Sequence, residues 1–160
     1  MLNVSILCVG KLRERYWREA CDEYIRRLSP LMRVRVAEIP EERCPENPSP
    51  AQIAAVMEAE GGRLLAALPA QAWPVALCVE GRSMASEALA EAISGAMVSG
   101  HGAAAFFIGG SFGLSPAVKS RAQLRLSMSE LTFPHQLARV MLLEQIYRCA
   151  NILSGGKYHK

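Results

Sequence analysis

The chain has 160 residues, 51% of them hydrophobic and 21% charged, with a formal net charge of +3. That is material for one globular domain with a real core, and it is too apolar for a disordered chain. No apolar run is long enough to cross a bilayer, and MLNVSILCVGKLRERYW places its apolar stretch before its charges, the reverse of a secretory signal, so a cytoplasmic protein is expected.

In chain order, VSILCVG (4–10) predicts a buried strand. Tyr16, Trp17, Ala20, Cys21, Tyr24, Ile25 and Leu28 then recur at helical spacing until Ser29-Pro30 stops them. VRVAEIP (34–40) alternates as a strand does, and the polar, proline-rich EERCPENPSP (41–50) predicts a mobile loop. Ile53, Met57, Gly61, Leu64 and Leu68 mark one face of a second helix. VALCVEG (75–81) reads as a strand ending in glycine, and Leu89, Ile93 and Met97 mark a third helix. AAAFFIGG (103–110) is a further strand, a short helix follows from Pro116 to about Leu124, and LRLSMS (124–129) makes a last strand. A long helix runs from His135 to about Leu153, and SGGKYHK closes the chain.

Strands alternating with helices predict a single α/β domain over residues 1–160, with a mostly parallel sheet flanked by helices. In such sheets ligands gather beyond the carboxyl ends of the strands. Gly81, the pair Gly109-Gly110 and the loop after Ser129 stand at such ends and predict the rim of one pocket.

Five cysteines stand at 8, 21, 44, 78 and 149, with no C-x-x-C pair, which speaks against a disulfide framework and against a zinc site. Cys8 and Cys78 lie inside apolar runs and read as core residues. Charge is uneven along the chain. Residues 1–36 carry 8 Lys/Arg against 4 Asp/Glu, residues 37–100 carry 3 against 9, and residues 101–160 carry 7 against 2. Basic ends that met in space would form a face suited to phosphate backbone; solvated helix faces are the plainer reading.

Neither nucleotide fingerprint is present: no Gly-Lys-Ser/Thr occurs, and the spacing G-G-x-x-G is not G-x-G-x-x-G. In TFPHQLARVMLLEQIYR (132–148), Pro134 suits a helix start, and His135 and Arg139 share a face. Arg139, Glu144 and Arg148 place charges on an otherwise apolar helix, where they must be paired, as Glu144 with Arg148, or used. So much apolar surface on one helix suits either the chain's own core or a subunit interface.

GKLRERYWREACDEYIRRLSP, IGGSFGLSP, LSMSELTFPHQLARVMLLEQIYRCANIL and the terminal KYHK together resemble the SPOUT-class methyltransferases. More narrowly, they resemble the ribosomal large-subunit enzymes that methylate N3 of a pseudouridine in 23S rRNA. The resemblance runs essentially end to end. It implies a C-terminal deep trefoil knot, S-adenosylmethionine as methyl donor, and a homodimer whose active sites are each completed by the partner; the cysteine pattern adds no metal, and so small a domain is expected to act on the assembled ribosome. It implies a donor site at Leu77, Gly81, Gly109, Gly110 and the run Met128, Ser129, Glu130, Leu131, Thr132, Phe133. Because the tail KYHK resembles the family's tail, which approaches the active site, we assign His159 a proton-handling or base-orienting role and Tyr158 stacking or hydrogen bonding to the nucleotide, and Arg148 is a candidate for orienting the target base or its phosphate. His135 is assigned to supporting the loop before it. Lys11, Arg13, Arg15 and Arg18 would grip RNA backbone. A catalytically silent RNA-binding module is the rival expectation; it would share the basic ends and bind no methyl donor.

Overall fold

A computed structural model describes residues 1–158, so the expectation placed on His159 lies outside the described residues. Five strands and five helices alternate: β1 (Leu2–Val9), α1 (Arg15–Leu28), β2 (Met32–Ile39), α2 (Pro50–Ala66), β3 (Ala72–Ser83), α3 (Ser86–Val98), β4 (Ala103–Ile108), α4 (Pro116–Arg121), β5 (Leu124–Ser127) and α5 (His135–Leu153). The strands form one sheet in the order β2-β1-β4-β3-β5, and every pairing is parallel. The expected α/β architecture is the one observed.

Parallel strands are covered on both faces, which explains their unbroken apolar runs. All six residues of β4 are buried. Alternate side chains feed two cores: Ile6 and Phe106 pack under α1, α3 and α5, whereas Leu7 and Phe107 pack under α2 and α4. The long helix α5 lies against α1 and α3, where Leu142, Leu143, Ile146, Cys149 and Ala150 are buried. Its most apolar face is therefore used within the chain, and Leu137, Val140 and Met141 remain only half-buried.

Local signals explain the helix starts. Ser49 accepts from the Gln52 amide at 3.2 Å while the Gln52 side chain accepts from the Ser49 amide at 2.9 Å, a reciprocal cap with Pro50 in the first turn. The 41–50 segment is also tied down, because Glu42 pairs with Arg63 and its amide donates to Glu60.

The strand expected over 75–81 departs most from expectation. β3 pairs with β5 through Leu77↔Leu126 and again through Arg82↔Leu126, so residues 78–81 bulge out of the ladder and Gly81 does not end the strand. A Cβ on Gly81 would stand 2.8 Å from the Arg125 carbonyl, and one on Gly109 would stand 2.6 Å from the carbonyl carbon of Gly113. These glycines let backbone approach backbone.

Candidate functional site

Beside the bulge in β3 and beyond the carboxyl ends of β4 and β5 lies a cavity of about 730 Å³. Its walls come from the β3 bulge, the turn after β4 and the segment joining β5 to α5, with Lys119 added from α4. Each wall has a local cause. The turn after β4 is closed by the Gly113 amide donating to the Gly110 carbonyl at 3.0 Å, with Gly113 at a φ of 85° that favours glycine. Ser115 then caps α4, accepting from the Val118 amide at 3.3 Å. In the third wall the Ser129 hydroxyl accepts from the Leu131 amide at 3.0 Å, and the Ser127 hydroxyl donates to the Ser129 carbonyl at 3.0 Å. Pro134 stands just outside α5 as its N-cap, one position before the first-turn place that the sequence suggests.

Leu77, Gly109, Gly110, Met128 and Ser129 line the cavity, as do Leu131, Thr132 and Phe133. Gly81 and Glu130 do not: Gly81 packs against the β5 backbone, and Glu130 is exposed. Sequence reasoning missed Glu80, Lys119 and Phe112, which also line it. Glu80 adjoins Gly81 and was within reach of the same strand-end reasoning. Lys119 was not, because only the folded chain brings α4 to this rim. Cys78, expected in the core, is half-buried and lines the cavity instead.

The electrostatics of the cavity are simple. Glu80 and Lys119 are the charged side chains among the lining residues, and they pair with each other. The Lys119 hydrogen bond holds the Glu80 carboxyl below the usual carboxylate range. His135 also lines the cavity, and burial pushes its pKa down, so the ring is neutral at physiological pH. The remaining wall is apolar side chain, glycine and the neutral polar residues Ser111, Ser129, Thr132 and Gln136.

Arg148 and Tyr158 are brought together, away from that cavity. The Tyr158 ring lies 4.9 Å from the Arg148 guanidinium and 4.7 Å from the Tyr147 ring, and its hydroxyl donates to Glu144 at 3.3 Å. Arg148 also donates to Glu144 at 2.7 Å, the intrahelical pair its spacing suggests. Burial, with Glu144 second, pushes the Tyr158 hydroxyl up, and the Glu144 bond does the same for Arg148. Ten residues of helix, about 15 Å along the axis, separate Arg148 from Ala138, the last α5 residue on the large cavity. A second cavity of about 350 Å³ lies between, sharing Leu126 and Met128 with the first and touching Glu144.

The four basic residues expected to hold RNA are all exposed, Lys11 and Arg13 in the segment before α1 and Arg15 and Arg18 in its first turns. Two have structural duties. Arg15 pairs with Glu19 at 2.6 Å, and Arg18 donates to the carbonyls of Leu12 at 3.0 Å and Arg13 at 2.5 Å, fixing the turn that leads into the helix.

Over residues 2–159 the chain matches a family model described as "Predicted SPOUT methyltransferase". The chain belongs to the SPOUT methyltransferase family. Methyl transfer is thus its class of chemistry, with S-adenosylmethionine the general donor of the family. The cavity fits such a donor. Its size is in the range of small-molecule sites. Peptide edges at its loops offer hydrogen-bonding groups of the kind an adenine needs, and one acid–base pair, Glu80 with Lys119, stands in its wall. Among the described residues no group of three or more His, Cys, Asp or Glu is placed to hold a metal ion, and no helix is long and apolar enough to cross a membrane.

Proposed function

We propose that this protein uses S-adenosylmethionine to methylate N3 of a pseudouridine in 23S rRNA, on the assembled ribosome. What supports this most is the cavity itself: of the donor-site residues that the resemblance names, Leu77, Gly109, Gly110, Met128, Ser129, Leu131, Thr132 and Phe133 line one space, and Gly81 and Glu130 do not. Bound S-adenosylmethionine supplies a methyl group already activated by its sulfonium, so the protein's work is mainly placement. The turn at Gly109 and Gly110 offers main-chain groups to the adenosine, and Phe133 and Met128 exclude water beside it.

The N3–H of the target is a weak acid, and its proton must leave as the ring nitrogen attacks. Arg148 stabilises the anionic imide that develops, Tyr158 stacks on or hydrogen-bonds the nucleotide, and His159 handles or orients the departing proton, with water as its final acceptor. Within one chain Arg148 stands along α5 from the donor cavity, so the reading includes a homodimer in which a second copy brings its Arg148 and tail to the cavity. A trefoil knot at the C-terminal half belongs to the same reading. Lys11 and Arg13 contact RNA phosphates, joined by Arg15 when it exchanges Glu19 for phosphate.

The deciding experiment is mass mapping of 23S rRNA from cells with and without this protein. Loss of one methyl group from one pseudouridine on deletion is expected. An unchanged modification map rejects the substrate, and failure of the purified protein to bind S-adenosylmethionine turns the reading towards a silent RNA-binding module.

A further inference from the structure

Glu80 and Lys119 form an ion pair on the wall of the donor cavity, one from β3 and the other from α4. Glu80 projects from the β3 bulge and Lys119 from the fourth position after the α4 cap. The Glu80 side chain is 58% exposed, so this pair does little for the fold. It is nonetheless the charged chemistry that the cavity offers: the other lining residues are apolar, neutral-polar or glycine, apart from His135, which burial keeps neutral. A cavity with one cation and one anion side by side, and uncharged walls elsewhere, suits a ligand with an uncharged heterocycle at one end and a zwitterion at the other.

We propose that the Glu80–Lys119 pair is the docking point for the amino-acid end of the methyl donor, its ammonium on the Glu80 carboxylate and its carboxylate on the Lys119 ammonium. The inference rests on the donor-site reading above and adds to it the direction of the donor, with the amino-acid end at the β3 bulge and α4, and the adenosine towards the Gly109 turn and Phe133. Exchange of partners is inexpensive. Each side chain gives up one ion pair at a solvent-accessible wall and gains another, so no buried charge is ever left alone. Specificity follows: compounds that keep the adenosine but lack the amino-acid end forfeit both contacts.

Calorimetric titration with two compounds tests this. S-adenosylhomocysteine carries the amino-acid end, and 5′-methylthioadenosine lacks it. Lys119→Met and Glu80→Gln should each weaken S-adenosylhomocysteine binding about tenfold, the scale of one charge-assisted hydrogen bond near solvent, while 5′-methylthioadenosine affinity stays within about twofold of wild type. The unchanged second affinity also shows that each variant is folded. Equal weakening of both compounds, or no weakening of either, overturns the assignment and leaves the donor site standing. If the wild-type protein binds neither compound, the donor reading itself fails and this assignment falls with it.

Discussion

Glu60 and Arg139 are buried charged residues that each keep one side-chain atom without a hydrogen-bond partner, Oε1 and Nε respectively. Glu60 lies beneath the turn after β4, its Oε1 3.1 Å from where a Gly110 side-chain carbon would stand, and among the described residues it accepts only the Glu42 amide, at 3.2 Å. Burial raises its pKa above the usual carboxylate range. The folded chain therefore holds this proton more tightly than the unfolded chain does. The stability this adds is complete below the unfolded value and is lost as pH rises through the folded one. Glu60→Gln, which keeps an acceptor for Glu42, should raise the urea midpoint at pH 7, and the difference from wild type should close towards pH 4. A midpoint gap independent of pH would show that Glu60 does not titrate in this way. Arg139 behaves differently. It donates to Glu38 at 2.8 Å and to the Gly10 carbonyl at 3.2 Å, clamping the start of α5 to the ends of β1 and β2. Because Glu38 is partly solvated, Arg139→Ala should cost about 2–3 kcal/mol in urea unfolding, less than the loss of a fully buried partner. Unchanged stability would mean that the clamp is idle. The cysteines are quieter: burial pushes the thiols of Cys8 and Cys21 to about 11 and that of Cys149 to about 12, which leaves them unreactive packing residues.

At the scale of elements, the site depends on the bulge in β3. Without it, residues 78–80 would continue the ladder, and Glu80 could not reach Lys119. Gly81 makes the bulge possible by letting the strand return onto the β5 backbone. Gly81→Ala forces a carbon against the main chain of Arg125 and Leu126, neither of which can rotate away. It should destabilise by about 1–3 kcal/mol, the range of an overpacked interior, and weaken donor binding through displacement of Glu80. Normal stability and affinity in this variant would place the tight approach elsewhere. The α5 helix shows how periodicity alone misleads. Its apolar residues suit a core and an interface equally, and packing against α1 and α3 accounts for the most buried of them without a second chain.

At the scale of the whole molecule, the large cavity and the Arg148–Tyr158 cluster stand apart along α5. If a second copy joins them, two defective proteins should repair each other. A variant disabled in the cavity by Lys119→Met and Glu80→Gln together, mixed with Arg148→Ala, should regain about a quarter of wild-type methylation, because half the dimers are mixed and each has one intact site. No recovery after the subunits have been shown to exchange would place cavity and cluster in one chain. Sedimentation of the wild type as a monomer would exclude the shared site directly.

The order and kind of every element were legible in the amino-acid sequence, because strand and helix periods are local properties of a few neighbouring residues. The strand ends at Gly109-Gly110 and after Ser129 were legible too, since glycine, serine and proline punctuate strand ends for local steric reasons, whereas Leu77 and the full run Met128–Phe133 were named by the family resemblance alone. What only the tertiary structure decided is which distant charges meet: Glu80 with Lys119, 39 residues on, and Glu38 with Arg139, 101 residues on. It also decided that Gly81 faces a neighbouring strand and that Arg18 braces a turn. Such pairings follow from sheet order and from the packing of helices across it, and no run of adjacent residues encodes either.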